Sequence, residues 1–180
     1  MQATPTENSG GEGGPASAAP SKALFDISGI DRSRFMVSKQ QIESLIPHRG
    51  QMSMLDGMVW HNPDFTQGVA RHRVRPDEFW VDGHFPGQPL FPGVLQIETA
   101  AQLACYLFVA RKGRPMVAVF LRIESAAFRT AVVPGDDLLV LCSEIKRQKR
   151  RFVSDVQGIV GDRIAFDAKL TGMSINDNEP

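Results

Sequence analysis

His84 and Glu98 stand fourteen residues apart in the segment Asp82-Gly83-His84-Phe85-Pro86-Gly87-Gln88-Pro89-Leu90-Phe91-Pro92-Gly93-Val94-Leu95-Gln96-Ile97-Glu98. Three prolines and three glycines surround the histidine within the eleven residues from Gly83 to Gly93. A stretch so built has few accessible backbone states, and rigid loops that present a titratable group are common functional devices. The same composition would also suit a structural loop whose histidine is merely hydrogen-bonded. Glu98 weighs toward chemistry, because it falls in the second turn of a helix that is otherwise apolar on all faces. A carboxyl in such a place needs a partner or keeps its proton, and a carboxyl that keeps a proton can act as a general acid. The competing reading is a wet glutamate favoured by the helix dipole. The amides of Gly93 and Val94, at the helix start, have no carbonyl one turn back to bind and could hold a developing oxyanion. A base, an acid and an oxyanion site in one short segment make the set needed to remove a proton next to a carbonyl.

The element that must position Glu98 is a helix predicted over Pro92–Lys112, opened by Pro-Gly and closed by Gly113 and Pro115. Its middle, Leu103 to Ala110, is apolar on every side, so it is buried in a core or a membrane. Gln96, Glu98 and Gln102 interrupt the run well short of about 18 apolar residues, which selects the core. A short helix is expected over 39–45, started by Ser38 with Gln41 and stopped before Pro47. Strands are expected at Met54–Trp60 and Gly68–Val74, then at Met116–Ile123, Ala126–Val133, Leu138–Lys146, Phe152–Val160 and Arg163–Ile175. Period-two alternation between tight turns reads as an antiparallel meander, and the whole as one α+β domain.

The chain of 180 residues carries 20 Lys and Arg against 20 Asp and Glu, a formal net charge of zero. That argues against a protein dominated by attraction to nucleic acid or to an anionic membrane, while leaving room for a local basic patch. Cys105 and Cys142 form no CxxC, so neither a disulfide framework nor a zinc ribbon is expected, and a reducing, cytoplasmic setting fits. Residues 1–22 hold no Leu, Ile, Val, Phe, Tyr or Trp and read as a disordered tail whose deletion should leave folding and turnover nearly unchanged. They show no secretory signal pattern. The organisation expected is that tail, a lead-in at 23–38 of at most a short helix or loop, a domain at 39–176 and a C-terminal tail at 177–180.

The run HFPGQPLFPGVLQIETAAQ strongly resembles the signature of the (3R)-hydroxyacyl-acyl carrier protein dehydratases, FabZ type. Ile46-Pro47-His48-Arg49, Leu55-Asp56, Phe128-Arg129 and Val133-Pro134-Gly135-Asp136 extend the resemblance over roughly residues 40–175. The resemblance implies a hot-dog fold, one long buried helix wrapped by an antiparallel β-sheet. It implies a homodimer with sites at the dimer interface, often assembled further into a trimer of dimers, with His84 from one chain and Glu98 from the other. It implies that His84 is the base, that Glu98 protonates the departing hydroxyl, and that the Gly93 amide, helped by Val94, polarises the thioester carbonyl. It places Gln102 and Phe120 among the residues near substrate, with no metal and no organic cofactor. The implied partner is an acyl carrier protein bearing a 3-hydroxyacyl phosphopantetheine; neither nucleic acid nor membrane insertion is implied.

The sequence departs from that pattern at Gly50-Gln51-Met52-Ser53-Met54, at Arg122-Ile123-Glu124, and at Phe120, where the family has a gating tyrosine. These changes bear on chain-length preference and gating more than on chemistry. The alternatives are a hot-dog thioesterase, a dehydratase that also isomerises, and a non-catalytic carrier-binding protein. The isomerising branch resembles this chain less, because it carries Asp where Glu98 stands. His48, His61 and His72 lack metal-ligand spacing and read as structural or exposed. Asp56 reads as a backbone anchor and Cys105 as core. The run Lys146 to Arg151 reads as a solvated turn, with a docking patch for an acidic carrier as the sharper alternative.

Overall fold

A reciprocal pair of hydrogen bonds opens the first helix, as the sequence predicts. In the computed structural model, which describes residues 22–175, the Ser38 hydroxyl accepts from the Gln41 amide (3.3 Å) and the Gln41 side chain accepts from the Ser38 amide (2.8 Å). Helix α1 runs Lys39–Leu45 and stops before Pro47. Helix α2 runs Gly93–Ala110. It is long and apolar enough to cross a membrane, yet 67% of it is buried within the domain. Ala100, Leu103, Leu107 and Phe108 sit at its centre with at most 2% exposure. Such a helix is a core element.

Around α2 wraps a seven-stranded antiparallel sheet: β1 Val37–Ser38, β2 Gly57–His61, β3 Gln67–Arg73, β4 Ala118–Phe128, β5 Asp137–Arg147, β6 Arg151–Val160 and β7 Arg163–Ser174. The spatial order is β1-β2-β3-β5-β6-β7-β4. Two expectations are corrected here. Met116–Ile123 and Ala126–Val133 are not two strands, because β4 runs unbroken along β7 from Ala118↔Ser174 to Phe128↔Phe166. Two register shifts, at Phe120/Arg122 and Ile123/Ser125, absorb the irregular sequence between them. The sheet is also no simple meander. Strands β5 to β7 follow one another, but β4 lies beyond β7 at the sheet edge, and residues 129–136 carry the chain across to β5. All of β4 from Val119 to Phe128 is exposed, including Phe120, Leu121, Ile123 and Phe128.

The lead-in is a strap on the sheet's second face and forms no helix. Ile27, 1% exposed, packs with Val59, Val69, Leu139, Leu141 and Ile159, and Leu24, Phe25 and Ile30 border the same cluster. Gln157 ties the strap down, accepting from the Leu24 amide (2.9 Å) and donating to the Lys22 carbonyl (3.2 Å). The expected disordered tail at 1–22 lies outside the described residues except for Lys22, as does the C-terminal tail at 177–180. Deleting residues 1–21, whose sequence holds no Leu, Ile, Val, Phe, Tyr or Trp, should leave the melting temperature unchanged. Ile27→Ala should cost about 2–5 kcal/mol, the usual penalty for emptying a buried aliphatic site. Urea melts of the two variants check this; equal stability of Ile27→Ala and the parent would mean the strap is not part of the folded unit.

Candidate active site

His84 is oriented through its backbone and its ring. The amide of His84 donates to the Trp80 carbonyl (2.8 Å), and the Leu90 amide donates to the His84 carbonyl (3.1 Å). These bonds close the proline- and glycine-rich loop on itself. The peptide between His84 and Phe85 is cis, and the two rings stack at 4.2 Å. His84 Nδ1 lies 2.8 Å from the Leu90 carbonyl oxygen. A carbonyl only accepts, so Nδ1 carries the proton and Nε2 keeps its lone pair. In its neutral form the imidazole could therefore accept a proton only at Nε2.

The start of α2 faces the same side of the molecule. Pro92 occupies the cap position and no side chain caps the helix. The leading amides are thus left to other acceptors. Gly93 sits close against Phe128: a Cβ there would lie 2.8 Å from the Phe128 ring, which would have to shift. His84, Leu90, Gly93, Val94 and Phe128 line one open groove of ≈ 530 Å³. His84, Gly93 and Val94, expected to act together, therefore border one groove of one chain.

Glu98 is elsewhere. It lines a separate, narrow cavity of ≈ 40 Å³ with His48, Gln102, Cys105, Phe120 and Phe152. Its carboxyl is neither fully wet nor unpaired. Oε1 accepts from Gln102 Nε2 (2.8 Å) and lies 3.5 Å from His48 Nε2. Gln102, 1% exposed, is itself fixed on three sides: Nε2 also donates to the Met52 carbonyl (2.8 Å) and Oε1 accepts from the Met54 amide (3.0 Å). The residues 50–54, which depart from the family pattern, thus hold the amide that holds the acid. Phe120, half exposed, borders this cavity.

His48 is the residue that sequence reasoning missed. The resemblance includes His48 in Ile46-Pro47-His48-Arg49 but assigns it no role, since its neighbour in space, Glu98, comes from fifty residues further along. Burial pushes its pKa below the ordinary value, Arg49 pushes the same way, and Glu98 opposes them. The other minor readings stand. Asp56 accepts from the Arg73 amide (2.6 Å) and pairs with Arg75. His61 stacks on Phe65. His72, 3% exposed, packs on Phe91 with Nδ1 2.6 Å from the Met54 carbonyl. Cys105 is buried, its thiol pushed up to about 12 by desolvation, although it also borders the Glu98 cavity.

Comparison with known proteins bears on this geometry. The sequence model of the FabA-like domain matches residues 46–169, which include the whole His84 groove and all of the Glu98 cavity's lining except Leu170 and Gly172. A 3-hydroxyacyl-[acyl-carrier-protein] dehydratase FabZ of Alkaliphilus metalliredigens (strain QYMF) is 37% identical over 142 residues, covering 77% of this chain and 94% of that protein. A bifunctional enzyme LpxC/FabZ of Porphyromonas gingivalis (strain ATCC BAA-308 / W83) is 36% identical over 146 residues; this chain spans 30% of that longer protein. Among solved structures, the dehydratase heterocomplex ApeI:P from Xenorhabdus doucetiae superposes with a TM-score of 0.67 at 14% identity, covering 81% of this chain and 95% of that one. A hypothetical thioesterase with coenzyme A from Streptococcus pneumoniae gives 0.53 at 14% identity, covering 69% and 90%. At such identities the two structures speak for the fold alone. Since the matched family region contains the loop, the helix and the strand that build both cavities, the chain belongs to the FabA-like domain family and has its hot-dog fold.

Proposed function

We propose that the chain dehydrates (3R)-3-hydroxyacyl thioesters on an acyl carrier protein to the trans-2-enoyl thioesters, in fatty acid or related lipid biosynthesis. The observation that carries the chemistry is the 2.8 Å contact between His84 Nδ1 and the Leu90 carbonyl oxygen, from which the tautomer follows. With Nδ1–H given to Leu90, Nε2 takes a proton from the carbon beside the thioester carbonyl. Electron density moves onto the carbonyl oxygen, where the Gly93 amide, seconded by Val94, stabilises it. Glu98 gives a proton to the 3-hydroxyl, which leaves as water while the double bond forms. Gln102 holds Glu98 in place instead of touching substrate, since both its amide hydrogens are already engaged.

The two cavities need a second copy of the chain to meet. Phe120 borders the acid's cavity and Phe128 the base's groove, so they mark opposite ends of β4. Eight residues of strand separate them, about 26 Å. Strand β4 is also an edge with an unpaired backbone row and an exposed apolar surface, which natural sheets cover. Antiparallel pairing of two β4 strands would set the Phe120 end of one against the Phe128 end of the other. The acid of each chain would then face the base of its partner. This supports a homodimer with two shared sites.

A cavity of ≈ 260 Å³ lined by Arg122, Lys146, Gln148 and Arg151, with Glu124 also bordering it, is the docking surface we assign to the acidic carrier. Arg150 does not belong to it, because its guanidinium is spent on the Ser174 carbonyl. The test is to supply purified protein with a 3-hydroxyacyl thioester, once on carrier protein and once on free pantetheine, and to identify the products. Enoyl thioester is expected from both, with the carrier form preferred at low salt and the preference lost as salt screens surface charge within about 8–10 Å. Release of free acid would make the chain a thioesterase, and binding without turnover would make it a carrier-binding protein.

A further inference from the structure

We propose that His48 is a positioning residue for Glu98: its Nε2–H donates to Oε1, the oxygen that Gln102 already occupies, so that the proton delivered to the leaving hydroxyl travels on Oε2. The inference rests on the dehydratase reading above and assigns a role within that site. Three observations lead to it. His48 and Glu98 border the same narrow cavity, with Nε2 3.5 Å from Oε1. That separation is long for a hydrogen bond, as catalytic contacts without substrate commonly are. His48 Nδ1 is buried and meets no hydrogen-bond partner among the described residues, so Nε2 is the ring's one engaged nitrogen. The loop bearing the ring is clamped by Arg49, whose guanidinium donates to the carbonyls of Glu43, Ile46 and His48.

The tautomer follows. With the proton on Nδ1, the Nε2 lone pair would face the acceptor oxygen of Glu98. With the proton on Nε2, the ring donates to Oε1 whether the carboxyl is ionised or carries its proton on Oε2. Two donors on Oε1 leave Oε2 as the oxygen free to exchange a proton. The charge of the ring also matters. A cationic neighbour favours the carboxylate and would strip the acid of the proton it must deliver. Burial keeps His48 below its ordinary pKa, so it orients Glu98 as a neutral donor.

The test compares His48→Gln, whose amide reaches the Nε2 position, with His48→Leu and with His48→Asn, whose shorter amide does not. Each is made in the parent and in Glu98→Gln, and kcat and KM are measured with a 3-hydroxyacyl thioester. We expect His48→Leu and His48→Asn to lower kcat about 10-fold or more, the scale on which misplaced catalytic groups act, with KM within about twofold. His48→Gln should keep at least about a third of kcat, and in Glu98→Gln the leucine should subtract less than about twofold further. Unchanged kcat in both the leucine and asparagine variants overturns the proposal. So does an equal loss with and without Glu98, or a glutamine variant as impaired as leucine. If His48→Leu does not fold, the asparagine and glutamine pair decides alone. A parent that forms no enoyl thioester overturns the dehydratase reading and this assignment together; an active parent with unaffected His48 variants overturns this assignment only.

Discussion

Glu98→Gln should lower the dehydration rate by about 10²-fold or more, the usual size of a general-acid contribution, while the protein keeps its stability and its association state. The substitution is nearly isosteric. The new amide oxygen can still accept from Gln102, and its nitrogen can still face the cavity, so the anchoring that Gln102 draws from Met52 and Met54 is retained. What is lost is the proton. The hydroxyl of the substrate is a poor leaving group without one, and no other titratable side chain besides His48 borders that cavity in a position to replace it, Cys105 being held at about 12 by burial. His48 does not substitute for the acid either, because burial favours its neutral form. The measurement is single-turnover formation of the enoyl thioester, with thermal melts alongside. Turnover like that of the parent in a folded Glu98→Gln protein would remove the acid assignment, and with it the reason for placing the hydroxyl in this cavity.

How much of this could be read from the sequence depended on whether the signal was local. The His84 loop was legible because Gly83, Pro86, Gly87, Pro89, Pro92 and Gly93 leave the backbone few choices, and the loop's bonds, His84 to Trp80 and to Leu90, all close within ten residues. The same holds for Ser38 and Gln41, which cap α1 across three residues, and for α2, whose apolar surface on every side demands burial. Strand β4 was misread for the complementary reason. Glu124 and Ser125 look like a break, and only the ladder to β7, some forty residues later, turns that break into a bulge. The packing of the strap was not legible because Leu24, Phe25, Ile27 and Ile30 follow neither a period of two nor of 3.6, yet still fill a hydrophobic surface offered by β2, β3, β5 and β6. His48 and the role of Gln102 were out of reach, because both depend on where residues 48–54 lie against α2, a contact that has no local signature.

The largest consequence of the split geometry is that two inactive proteins should make an active one. His84 with Gly93 and Val94, and Glu98 with Gln102, border different cavities of one chain, at opposite ends of exposed β4. If sites form between two chains, a His84→Ala chain still brings an intact Glu98, and a Glu98→Gln chain still brings an intact His84. A mixed dimer then holds one complete site and one doubly damaged site. Refolding the two variants together at equal amounts should give about half mixed dimers and about a quarter of all sites intact, if pairing is random. Activity should rise to about a quarter of the parent value from the background near or below about a hundredth that each variant shows alone. The gain should depend on exchange of chains, so mixing the two folded proteins without refolding should restore activity only as fast as dimers dissociate. Mass analysis of the refolded sample counts the mixed dimers directly. If they form in the expected share and restore nothing, His84 and Glu98 do not meet across a two-fold axis. The His84 groove and the Glu98 cavity would then have to serve one site by a rearrangement within a single chain, and the exposed apolar edge of β4 would need another explanation.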